Sequence, residues 1–135
     1  MLTRYQMARG VPAARLPKGV RHDTRKHTRH VLRPTAAIVE AYLAAPSAAA
    51  WQRFAEQYRA LLARRFADDR SRFDALAELA RKEDVYLGCS CPTKQNPSVR
   101  HCHTWLALEF FRQRYSDLDV RMPRKADASR TALSP

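Results

Sequence analysis

With 135 residues and 15.5 kDa, the chain is the size of one domain that can bury its own core, and 45% hydrophobic against 28% charged residues excludes a wholly disordered chain. Lys and Arg total 25 against 13 acids, a formal charge of +12 with a pI near 10.5, which favours polyanionic partners. No apolar stretch approaches the roughly 20 residues of a membrane span, and the opening MLTRYQMARGVPAARL lacks the apolar segment of a secretory signal, so the expectation is a cytoplasmic protein with no membrane partner.

Residues 1–34 hold nine basic side chains and one acid, Asp23, and so carry eight of the twelve net charges. They are expected to form a basic segment packed on or flanking an α/β core at 35–123, with a flexible basic tail at 124–135. A short strand is expected at Thr3 to Met7, before Gly10 and the breakers Pro12 and Pro17. RHDTRKHTRHVLRP, Arg21 to Pro34, reads as an exposed loop ending in a short strand at His30 to Leu32. Arg25, Lys26 and Arg29 are its candidate contacts to nucleic acid or another polyanion. Tyr5 is the only aromatic residue of 1–34, so stacking on single-stranded bases is not supported. His22, His27 and His30 show no fixed ligand spacing.

Helices follow. Pro34-Thr35 is a plausible start for a helix carrying Ile38, Val39, Tyr42 and Leu43, which Pro46 stops. Ser47 caps a longer one, in which Trp51, Phe54, Tyr58, Leu61 or Leu62, and Phe66 recur at three- and four-residue steps as a core face. A third begins near Ser71, with Asp74 at capping-box distance, and buries Phe73, Leu76, Leu79 and Ala80. Val85 to Leu87 is short and β-rich enough for a buried strand, Pro92, Asn96 and Pro97 make a loop, and a helix runs from about Arg100 to Tyr115. With a further strand at Leu118 to Met122, residues 85–122 read as a βαβ unit. The expected fold is α/β: a helix-rich single domain with a short, mostly parallel sheet.

All three cysteines and two of the five histidines lie between Val85 and Trp105, in VYLGCSCPTKQNPSVRHCHTW. Cys89, Cys91, Cys102 and His103 fall where a strand end meets a helix start, a place where functional groups collect in parallel sheets and where free N–H groups stabilise a thiolate or an anion. Three readings stand side by side. In one, Cys89, Cys91, Cys102 and His103 or His101 bind zinc, although Cys-x-Cys is a tight spacing and neighbours on a regular helix diverge. In another, a Cys102 or Cys89 thiolate is a nucleophile or redox thiol, with His103 or His101 as acid or base. In the last, Cys89 is a small buried hydrophobe and the others are bystanders. Lys94, Arg100 and Thr104 are the candidate anion-binding residues at this junction.

VYLGCSC followed by RHCHTWLALEFF resembles the apolar strand, Cys-x-Glu and Cys-His-Arg pattern of the domain of unknown function 488 family. WQRFAEQYRALL is similar to that family's Trp-x-x-Phe-x-x-x-Tyr helix, and VLRPTAAIVEAY to the segment before it, so the resemblance spans about residues 31–122. Cys91 stands where the pattern has Glu, and Thr104 where it has Arg. The resemblance implies a compact α/β domain and brings no settled activity with it. Taken together, these features describe a basic α/β protein that binds nucleic acid or a phosphate-bearing ligand near a Cys/His junction, or else a cysteine-dependent enzyme or a structural zinc domain.

Overall fold

The computed structural model describes residues 1–124. Three strands, β1 (Leu2–Gln6), β2 (Val20–Asp23) and β3 (Val85–Cys89), form one parallel sheet in the order β1-β3-β2. Central β3 takes both ladders, with Leu2 opposite Val85 on one side and Val20 opposite Val85 on the other. Its apolar residues follow from this, because a central parallel strand is covered on both faces. Gly88 is forced by close approach: a Cβ there would come within 3 Å of the Met7 side chain and of Tyr5 Cε1.

Four helices complete the domain: α1 (Ala36–Ala44), α2 (Ala48–Asp68), α3 (Arg70–Lys82) and α4 (His103–Arg114). Thr35 and Ser47 cap α1 and α2 as expected, their hydroxyls accepting the Ile38 and Ala50 N–H groups. The α3 start differs. Asp69 precedes it, and Asp74, instead of closing a capping box, accepts the Tyr115 hydroxyl and faces Arg70. Phe73, Phe110, Phe111, Tyr58 and Leu62 join α2, α3 and α4 with Val85 and Leu87 in one core. That core fixes where α4 begins, and therefore where Cys102 sits.

One expected strand is absent and another is reduced to a bridge. His30 to Leu32 is a turn, because α2 takes its carbonyls: the Tyr58 hydroxyl donates to Leu32 O at 2.6 Å, and Arg65 donates to Val31 O and Arg33 O at 2.7 and 2.6 Å. Leu118 to Met122 contributes a single parallel bridge, Leu2 to Val120. The βαβ unit is thus β3, α4 and that bridge, with β1 lying between its two parallel arms. The expected tail at 124–135 lies outside the described residues except for Arg124.

His30 gives the fold a pH dependence. Its Nδ1 accepts the Leu32 N–H at 3.1 Å, so its Nε2 carries the proton and donates to His22 Nδ1 at 3.0 Å. Burial, then the nearby charges of His22, Arg72 and His103, hold His30 down to about 4, with Asp23 opposing weakly. Since this lies below the ordinary value near 6.5, the unfolded chain takes up the proton first. The pair's contribution is therefore complete above about pH 6.5 and is lost as pH falls towards 4, on the order of 2 to 3 kcal/mol. His30→Asn, which keeps an acceptor but cannot titrate, should flatten the fall in Tm over that window; an unchanged slope would contradict the assignment.

Candidate functional site

The β3 end, the loop after it and the start of α4 bring the three sulfurs together: Cys89, Cys91 and Cys102 Sγ all lie within 4.8 Å of one another. Cys89 is buried as the last residue of β3, Cys91 is partly exposed two residues on, and Cys102 is buried at the N-cap of α4. None of the three is in a disulfide. The expected divergence of Cys102 and His103 does not occur, because Cys102 has extended backbone (φ −134°, ψ 147°) and only His103 opens the helix. Both side chains therefore face the cluster, and His103 Nδ1 lies 3.8 Å from Cys102 Sγ and 3.8 Å from Cys89 Sγ.

Hydrogen-bond polarity fixes what each group offers. Thr24, just past β2, donates its hydroxyl to Gly88 O at 2.9 Å, so at 2.8 Å it accepts from His103 Nε2–H. The Nδ1 edge of His103 is thereby turned to the sulfurs. On the other side Arg4 of β1, a donor only, gives its Nε–H to Thr104 Oγ1 at 2.9 Å. Thr104 in turn donates its own proton to Cys102 Sγ at 3.2 Å. Arg4 also donates to Cys91 O at 2.6 Å, while its Nη1, in a side chain only 4% exposed, is the one buried side-chain polar atom without a hydrogen-bond partner among the described residues. Asn96 completes the frame by donating to Cys91 Sγ at 3.3 Å and to His101 O at 2.6 Å.

These bonds favour one thiolate among three sulfurs. Hydrogen bonds from Cys89 and Cys91, helped by the charge of His103, bring Cys102 well below the ordinary cysteine range against the opposing effect of burial. Donating to that sulfur, with burial added, lifts Cys89 well above the range and Cys91 to about 12. Burial alone would lower His103, but the Cys89 and Cys102 sulfurs outweigh it and raise His103 to about 10. The two shifts run in opposite directions, Cys102 downwards and His103 upwards, which favours a thiolate beside an imidazolium at the positive end of α4.

The cluster forms one wall of a cleft of about 350 Å³. Tyr42, Phe54 and Trp51 face it from α1 and α2, with His101 stacked on Trp51 at 4.9 Å. Arg25 and Lys26 also line it, each engaged by an acid: Arg25 by both Asp23 oxygens at 3.0 and 2.8 Å, Lys26 by Glu40 at 3.3 Å. The other expected anion contacts lie elsewhere. Lys94 and Arg29 are exposed and outside the cleft lining, Arg100 lies over the Trp105 ring at 5.4 Å, and Thr104 is fully buried. Arg4, Thr24, Asn96 and Tyr42 belong to this site without having been indicated by their local sequence.

What the fold and site define is a small parallel α/β domain with a thiol cluster at its strand–helix junction. Residues 3–115 match the model of DUF488-N3a, described as the Active DUF488-N3 subclade, and the chain belongs to this family. No curated protein and no solved structure matches it. The two departures from the wider pattern both fall in the cluster: Cys91 supplies its third sulfur, and beside Thr104 stands the guanidinium of Arg4. Three thiolates in this arrangement could hold a metal ion. No described helix is long and apolar enough to cross a membrane.

Proposed function

We propose that the chain is a cysteine-dependent enzyme in which Cys102 is the nucleophile and His103 holds it as a thiolate and supplies or removes a proton at Nδ1. The observation that carries this reading is the one-way chain Arg4 to Thr104 to Cys102, which directs a hydroxyl proton at the Cys102 sulfur while His103 faces the same atom. A thiolate so held attacks an electrophilic carbon, and the imidazolium protonates the leaving group. The cleft admits a substrate with an apolar or aromatic part against Tyr42, Phe54 and Trp51. 4-Nitrophenyl acetate tests the chemistry without a known substrate. A burst of nitrophenolate with one acetyl group on Cys102 is expected; acetylation spread evenly over the three cysteines would overturn the proposal.

The convergence of the sulfurs favours zinc as the second reading. Around a tetrahedral ion with bonds of about 2.3 Å, sulfurs stand roughly 3.8 Å apart, so a spread of at most 4.8 Å needs only a small contraction. Cys89, Cys91 and Cys102 would be ligands, with His103 Nδ1 3.8 Å from two of the three sulfurs as the nearest fourth donor. Stoichiometric zinc in protein purified without a chelator or affinity tag would favour it; far less than one equivalent would remove it. Nucleic-acid contact rests on less, since the two cations of the cleft wall are already paired with Asp23 and Glu40.

A further inference from the structure

We infer that Cys91 is a resolving cysteine: once Cys102 has been oxidised by a hydroperoxide, Cys91 closes on it as a reversible disulfide that switches the site off and protects it. The inference rests on the reading of Cys102 as the reactive thiol and adds a modification to it. Three observations carry it. The sulfurs lie within 4.8 Å of one another, so a bond of about 2.05 Å requires an approach of under about 3 Å. Cys91 is the one partly exposed residue of the three and lines the cleft together with Cys89 and Cys102, so oxidant and reductant can reach the pair from that side.

The third observation is the difference in restraint between the two candidate partners. Cys89 is held in β3, paired with Gln6 of β1, and its carbonyl accepts the Met7 N–H at 2.8 Å. Cys91 stands outside every strand and helix, in the stretch between β3 and the 3-10 turn Val99–His101. The contacts that hold it are side-chain bonds, from Arg4 to its carbonyl and from Asn96 to its sulfur. It can move towards Cys102 without breaking the sheet; Cys89 cannot.

The Cys102 thiolate attacks one peroxide oxygen, the O–O bond breaks, and an S–O bond forms, oxidising sulfur by two electrons. The departing alkoxide or hydroxide takes up a proton from solvent at the cleft. The Cys91 sulfur then attacks the sulfenic sulfur, an S–S bond replaces the S–O bond, and the oxygen leaves as water with the Cys91 proton. A dithiol restores both cysteines by exchange.

Treating the full chain with one equivalent of hydrogen peroxide and mapping cysteine-linked peptides by mass spectrometry tests this. The expected product joins Cys91 to Cys102, blocks alkylation of Cys102, and is reversed by dithiothreitol. In Cys91→Ser, a second equivalent of peroxide should carry Cys102 on to the sulfinic acid, which dithiothreitol does not reverse. A Cys89–Cys102 bond, or sulfinic acid at Cys102 while Cys91 is present and unlinked, would overturn the inference and leave the nucleophile reading standing. A Cys102 inert to both peroxide and iodoacetamide would sink both.

Discussion

Cys102→Ser is expected to lower the rate of acylation by 4-nitrophenyl acetate at neutral pH by at least about 10³-fold, because a serine hydroxyl is not held as an anion by one imidazole and one threonine. The supporting bonds predict a graded series around that loss. Thr104→Val removes the donor to Cys102 Sγ and strands the Arg4 Nε–H. A hydrogen bond to a charged group is worth about 1.5 kcal/mol or more, so a fall of roughly tenfold is expected, with Thr104→Ser restoring most of it. Cys91→Ala removes one S–H donor from the same sulfur and should act in the same direction. If Cys102→Ser retained the rate while Cys89→Ser lost it, the nucleophile would be Cys89, and the polarity argued for Thr104 would have no consequence.

The second large effect is on stability. Phe73 of α3 is fully buried, with Phe66, Phe110 and Phe111 ring centroids at 5.3, 5.5 and 6.0 Å. Truncation to Ala removes those contacts and leaves a cavity among aromatic rings that α2, α3 and α4 can only partly close. A loss of about 3 to 5 kcal/mol is expected, a large share of the 5 to 15 typical of a domain. In urea, with m about 1.5 kcal/mol/M, the midpoint should fall by roughly 2 to 3 M. A shift below about 0.5 M would mean that α3 is not docked as described. Since Phe110 and Phe111 belong to α4, the same variant should also slow reaction at Cys102 under native conditions.

Local pattern carried much of the fold. The caps Thr35 and Ser47, the aromatic stripe from Trp51 to Phe66 and the apolar run at Val85 are signals that lie within a few residues of their effect. The place of the site was legible for the same reason, since Cys89 ends a strand and Cys102 opens a helix. The partners that give the site its chemistry were not. Arg4 lies 100 residues from Thr104 and Thr24 lies 79 from His103, and nothing in periodicity or spacing encodes such a contact. In the sequence Arg4 is one of nine cations in a basic segment, whereas the parallel register of β1 on β3 buries it beside Cys91 and Thr104. The helical angle that separates neighbouring side chains did not apply to Cys102, which stands one residue outside α4.

The segment Arg21 to Pro34 shows the converse. Its charge and polarity point to an exposed loop, yet Arg21 to Asp23 belong to β2, Thr24 is fully buried with its N–H and hydroxyl on Gly88 O, and Val31 and Leu32 join the core, their carbonyls bonded by Arg65 and Tyr58 of α2. Long side chains satisfy backbone groups that a strand partner would otherwise have taken.

Alkylation of the wild-type chain with iodoacetamide across pH, in the presence of a chelator and with each cysteine quantified separately, bears most directly on the claim that Cys102 carries the thiolate. Cys102 should react with a midpoint well below the ordinary cysteine value of about 8.5, while Cys89 and Cys91 lag far above it. Three cysteines titrating together near that ordinary value would contradict it.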